Sequence, residues 1–181
     1  MRRTVWIVLV VAMAVGVSSI RSAADGSAEA RARGEYMIKA MDCNACHTPW
    51  KLGSRGPEPD TSRLLSGHPG KAGFPPPPSL APGPWNVVTA GNTAWSGPWG
   101  ISYSSNLTPD EETGLGSWTE KAFADCMRHG KHLGDGRDLL PPMPRYPELT
   151  DADLHAMFVY LESIPPVANR VPDPEPRRGT P

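Results

Sequence analysis

Two thiols three residues apart with an imidazole directly behind them, Cys43-Asn44-Ala45-Cys46-His47, are the residues of this chain best suited to chemistry. On a helical turn the sulfurs of Cys43 and Cys46 share one face. There they can add to the two vinyl groups of a single porphyrin. His47 then falls beneath the ring and offers a nitrogen to its iron. The pattern reads as a covalent attachment site for c-type haem. Two other chemistries of paired thiols fit less well. Zinc needs a second ligand pair at similar spacing, and the remaining cysteine, Cys126, stands alone. A thioredoxin-like redox pair sits in a strand–helix–strand pattern that the neighbouring residues lack.

The ligand opposite His47 decides what such an iron can do. With both axial positions filled it passes electrons; with one open it can act on a substrate. The candidates are Met37, Met41, Met127, Met143, Met157, His68, His129, His132, His155 and Cys126. Met37 and Met41 belong to the segment entering the motif and are badly placed to cross to the other face. Met127 and Met157 fall on apolar helical stripes and suit a core. Met143 differs, because Leu139-Leu140-Pro141-Pro142-Met143-Pro144 cannot be helical and is stiffened by proline on both sides. Such a loop presents a thioether at little entropic cost. His129 and His132, flanking Gly130-Lys131, leave bis-histidine ligation as the rival. Cys126 shares a stripe with Phe123 and Met127, which suits a buried inert thiol better than an iron ligand or a bond to another chain.

Three helices are expected to position these groups. The first spans roughly Ser27 to Met41, capped by Asp25 or Ser27, and leads into the thiols. The second spans about Trp118 to His129, with Ser117 and Glu120 as a capping box and Gly130 as its stop. The third begins at Thr150, buries Leu154, Met157, Phe158 and Leu161, and ends before Pro165-Pro166. Between Lys51 and Ser105 the chain is rich in Pro, Gly and Trp, which predicts a long loop lying over the porphyrin as a lid. Within it Phe74–Pro78 reads as polyproline-like, and the residues around Gly91-Asn92 read as a small hairpin joining Val87-Val88-Thr89 to Thr93-Ala94-Trp95. Trp85, Trp95, Trp99 and Trp118 are expected on the porphyrin or closing that wrap.

The ends and the charge set the compartment. Arg2 and Arg3, the apolar run Val5 to Val17 and the small residues Ser22-Ala23-Ala24 read as an export leader over 1–24, cut after Ala24. Left uncut, the leader would be a membrane anchor, and the rest of the chain would still be exported. Residues 25–167 then form one domain, and 168–181, alternating proline with charge, form an extended tail. The whole chain carries a formal charge of −1, and losing Arg2, Arg3 and Arg21 with the leader leaves 15 basic against 19 acidic residues, or −4. That balance argues against a nucleic-acid partner and favours a docking partner with a positive patch. Twenty-two prolines and eighteen glycines imply a small helical core, completed by burial against the ring. One C-x-x-C-H and no internal repeat give one haem.

A series of short motifs follows the thiols in order: Asn106-Leu107-Thr108-Pro109-Asp110, Thr113–Thr119, Gly136-Arg137, Pro141-Pro142-Met143-Pro144, Leu149–Leu154 and Tyr160–Val167. With Cys43–His47 ahead of them, the chain resembles the class I cytochromes c, and in particular the haem domains of cytochrome subunits of periplasmic, membrane-associated dehydrogenases. The resemblance covers Glu35–His47 and Ser102–Val167 and leaves Lys51–Ile101 loosely matched. It implies an all-α class I cytochrome c fold around one covalent haem c, with its iron held by His47 and Met143. It also implies a relay of single electrons, with a periplasmic dehydrogenase as donor and a respiratory cytochrome or terminal oxidase as acceptor. The dehydrogenase subunits carry two or three haem motifs where this chain has one, which points to a monohaem shuttle or accessory subunit. Arg137 is the first choice for a propionate partner, and the Trp118 indole is a further haem contact. The competing readings are a haem enzyme with an exchangeable distal ligand (a peroxidase or sulfur-compound oxidoreductase) and a gas or redox sensor.

Overall fold

The computed structural model describes residues 26–71, 75, 78, 80, 83–134 and 136–177. The leader over 1–24, Asp25, most of Phe74–Pro78 and residues 178–181 lie outside the described residues. Helix α1 covers 26–40, α2 is Cys43–His47, α3 is Glu120–His129 and α4 is Asp151–Ser163. Thr150 caps α4 as its sequence suggests, its hydroxyl accepting from the Asp153 N–H at 3.1 Å. Asp151 and Asp153 stand in the positive first turn. For α3 the cap is Thr119 and not Ser117: its hydroxyl accepts from the Ala122 N–H at 3.1 Å. Trp118 is held in the preceding turn because its N–H donates to the Leu115 carbonyl at 2.7 Å. Gly130 ends α3 at φ +68, a left-handed value that glycine adopts without strain.

The helices share one core. Ile38 of α1, Leu154, Met157 and Leu161 of α4, and Leu65 are fully buried, with Leu115, Phe123 and Met127 closing around them. Each such side chain contributes about 1.5–3 kcal/mol by leaving water. Helices α1 and α4 approach closely at Gly34, where a Cβ would run into the Ala156 carbonyl and the Tyr160 Cβ.

The segment between the thiols and α3 is not a loop, and the expected all-α class I cytochrome c fold is overturned by two antiparallel sheets. Strands β1 (Trp50–Gly53) and β2 (Gly56–Pro59) form a hairpin with Trp50 opposite Pro59. Strands β3 (Val87–Val88), β4 (Ala94–Gly97), β5 (Gly100–Tyr103) and β6 (Glu175–Pro176) form the second sheet in that order. The physical reason is the demand of buried backbone. Thr93 to Gly97 are all buried, and a chain too rich in proline and glycine for helix meets that demand by cross-strand pairing. The hairpin expected around Gly91-Asn92 is present, with Val88 opposite Trp95.

The tail takes part in this architecture. Glu175 pairs with Ile101, making β6 the edge of the second sheet. Ahead of it, the buried Asn169 side chain donates to the carbonyls of Ser66 at 2.7 Å and His68 at 2.8 Å and accepts from the Gly70 N–H at 3.1 Å. The Asn106–Asp110 motif is a second clasp. The Asn106 amide donates to the Val167 carbonyl at 2.8 Å, and Asp110 accepts from the Thr113 N–H at 2.8 Å in a tight turn.

Candidate functional site

Asp42 turns the chain between α1 and α2 at a left-handed φ of +56, which sets the short helix of the thiols at an angle to its predecessor. In α2, Cys43 and Cys46 are half-buried and His47 is 9 % exposed. The His47 ring is fixed by one contact: Nδ1 lies 2.8 Å from the Ser105 carbonyl oxygen. A carbonyl only accepts, so Nδ1 carries the proton and Nε2 keeps its lone pair. Burial holds the ring's pKa below the usual histidine value, with the Ser105 bond working in the opposite direction. The imidazole at neutral pH is therefore a neutral, oriented donor for a metal. Behind it the Gly67 N–H donates to the His47 carbonyl at 2.7 Å, and the Thr48 hydroxyl accepts from the Leu65 N–H at 3.0 Å.

Both thiols are held towards their protonated form. Burial pushes Cys43 up to about 11 and moves Cys46 in the same direction. A redox-active pair needs the opposite shift, towards thiolate. Among the described residues no three His, Cys, Asp or Glu side chains are placed to hold a metal ion between them.

Met143 is half-buried against the core, as are Cys43, Trp118 and Tyr146. Desolvation, followed by the charges of Cys43 and Cys46, raises the Tyr146 phenol above its usual range. Three bonds tie down the loop that carries Met143. The Leu139 N–H donates to the Gly130 carbonyl at 2.8 Å, Ser102 Oγ to the Pro141 carbonyl at 2.6 Å, and the Tyr146 N–H to the Met127 carbonyl at 2.8 Å. Met127 and Met157 are core residues, as their helical stripes suggest. Cys126 is buried beside them, its thiol pushed up to about 11 by desolvation.

The remaining expected site residues are placed less closely. The Trp118 ring meets His132 edge-on with centroids 5.1 Å apart. Arg137 is exposed, its guanidinium donating to the Asp138 carbonyl at 3.4 Å. His129 is exposed, while His68 is buried with Nδ1 2.9 Å from Thr93 Oγ1. Of the tryptophans, Trp95 is buried in β4, the Trp99 indole donates to Ser102 Oγ at 3.3 Å, and Trp85 is exposed. Sequence reasoning passed over Ser105, Ser102, Asn92 and Tyr146. Ser105 acts through its backbone and left no side-chain signal, whereas Tyr146, three residues after Met143, was within reach of the motif.

The donor set fits a haem c. Two thiols one helical turn apart, a neutral imidazole with a committed Nδ1 and a thioether on a pinned loop border a rim of half-buried apolar side chains. An apolar macrocycle would cover that rim.

No family model matches the chain. It is 35 % identical over 142 residues, 77 % of its length, to a component of the nicotinate dehydrogenase of Pseudomonas putida. It is 33 % identical over 147 residues, 78 % of its length, to the cytochrome c subunit of the quinone alcohol dehydrogenase of Gluconobacter oxydans. It is also 30 % identical over 164 residues, 88 % of its length, to the gluconate 2-dehydrogenase cytochrome c subunit of Pantoea cypripedii. The chain spans 9 %, 23 % and 29 % of the length of these relatives. Over most of its length the chain is a homologue of the cytochrome c subunits of dehydrogenases.

Proposed function

We propose that the chain is a monohaem c-type cytochrome, exported to the periplasm by its leader, that carries single electrons from a dehydrogenase towards a respiratory cytochrome or terminal oxidase. The observation that carries this reading is the Ser105 carbonyl on His47 Nδ1 at 2.8 Å, one residue after the second thiol. It leaves Nε2 as the only ring nitrogen able to ligate, and fixes where it points. Cys43 and Cys46 would hold the ring through thioether bonds, and His47 and Met143 would ligate its iron. When bound there, haem c supplies an iron that alternates between ferric and ferrous states.

The chain's own residues account for the rest. Ser105 and Gly67 hold the ring and the carbonyl of His47, which would keep reorganisation on electron transfer small. Leu139, Pro141 and Tyr146 hold the ends of the loop around Met143 in the same way. Ligation by both His47 and Met143 would leave the iron no place for a substrate, which separates a carrier from a haem enzyme. The relatives' names support a dehydrogenase as donor. Trp118, through the rim it shares with Cys43 and Met143, would pack on the ring. Arg137, whose guanidinium keeps further N–H donors beside the one on the Asp138 carbonyl, would serve as a propionate partner.

The test is spectroscopic. Protein matured in a periplasm should keep its colour through extraction with acidified organic solvent. It should show the weak far-red methionine–ferric band and bind carbon monoxide poorly when reduced. Rapid turnover of peroxide would favour the enzyme reading instead.

A further inference from the structure

The β3–β4 hairpin reaches the second thiol. Asn92, at φ +52 in its turn, donates through Nδ2 to the Ala45 carbonyl at 2.9 Å and to Cys46 Sγ at 3.5 Å. The first of these bonds settles the orientation of the amide, because a carbonyl can be met only by the NH2 end. The turn is itself clamped. The Asn92 N–H donates to the Thr89 carbonyl at 2.8 Å, and Thr89 Oγ1 accepts from the N–H groups of Thr93 and Ala94, each at 3.2 Å. The Asn92 side chain is thus held against α2 at Ala45 and Cys46. Cys43 has a different setting: it packs on the apolar core.

We propose that Asn92 is a positioning residue for Cys46 in forming its thioether bond, an inference that rests on the haem reading above. In that reaction Cys46 Sγ bonds to one carbon of a vinyl group and the thiol hydrogen ends on the other. Nothing is oxidised and nothing leaves. The reaction needs the sulfur aimed at its carbon, and the Nδ2 donor fixes the Cys46 side chain in one orientation. The sheet is then a socket built against the attachment helix. One of its turns grips Cys46 through Asn92, and the exit of β5 grips His47 through Ser105.

The test compares Asn92→Gly, which keeps the left-handed turn and removes the amide, with Asn92→Asp, which keeps its shape and removes the donor. Each full-length protein is matured in cells, denatured, alkylated and mapped by peptide mass. Both variants should show a several-fold rise, up to about tenfold, in molecules alkylated at Cys46, with Cys43 still protected. Their pyridine haemochrome bands should move to longer wavelength as one vinyl group stays unreacted. An equal rise at both cysteines, or no rise in variants whose circular dichroism matches the parent, overturns the proposal. A parent alkylated at both cysteines would bring down the haem reading, and this inference with it.

Discussion

Ser102 and Pro141 are joined by a 2.6 Å hydrogen bond from the serine hydroxyl to the proline carbonyl, and the same strand leads three residues later to the carbonyl that accepts from His47. One short stretch of chain therefore touches both the α2 helix and the loop around Met143. The Ser102 hydroxyl also accepts from the Trp99 indole at 3.3 Å, which orients its own hydrogen towards Pro141.

Ser102→Ala is expected to cost about 0.5–1.5 kcal/mol, the value of one net hydrogen bond. The loss should fall on the Met143 loop before the rest of the fold. In a guanidinium titration the far-red band should disappear at lower denaturant than in the parent, ahead of the far-UV signal. A band that survives as long as in the parent would show that the remaining ties suffice.

Met143→Ala should abolish the far-red band while leaving the fold in place, because the side chain is only half-buried. Met157→Ala should do the reverse: the residue is 1 % exposed, and its loss should cost about 2–5 kcal/mol with the band intact. If the band outlives Met143→Ala, the ligand is one of the other methionines.

Stability should fall as the pH drops below about 6.5. Burial lowers the pKa of His68 and of His132 from that value in the folded chain. Just below it the unfolded chain takes up protons that the folded chain refuses, so acid favours unfolding. Above 6.5 both states are neutral at these rings and the effect is absent. The partnered carboxylates of Asp110 and Asp153 act in a separate window, below their usual 3.8. Denaturation midpoints measured from pH 7.5 to 5 should slope downward, and His68→Gln should flatten part of that slope. An identical slope in the variant removes His68 from the account.

Asn169→Ala should be the costlier of the polar substitutions. It strands two buried carbonyls and one N–H at once, those of Ser66, His68 and Gly70. Unsatisfied buried groups cost about 1–3 kcal/mol each, so a loss of several kcal/mol is expected by urea titration. A loss under about 1 kcal/mol would mean that water replaces the side chain there.

The helices and the thiol motif were legible in the sequence because their signals are local. Thr150 with two acidic residues in the first turn marks α4, and Gly130 marks the end of α3. The sheets were less so, because their strands run only two to four residues and the β5–β6 pairing crosses a long separation. Gly100 meets Pro176, a pairing that no nearby pattern announces. Gly91-Asn92 announced a hairpin, but nothing in those two letters says that the amide would end on Cys46. Ser105 is the clearest case. Its contribution is a peptide carbonyl, which every residue type possesses, so only the path of the chain could reveal it.

The latch made by Asn169 has a temporal side. It closes on Ser66 across 103 positions of chain, so it cannot exist until synthesis has passed residue 169. Cys43 and Cys46 are made early and wait through that interval on an unlatched polypeptide. Until the latch closes, Ser66, His68 and Gly70 lack their tie to the later stretch.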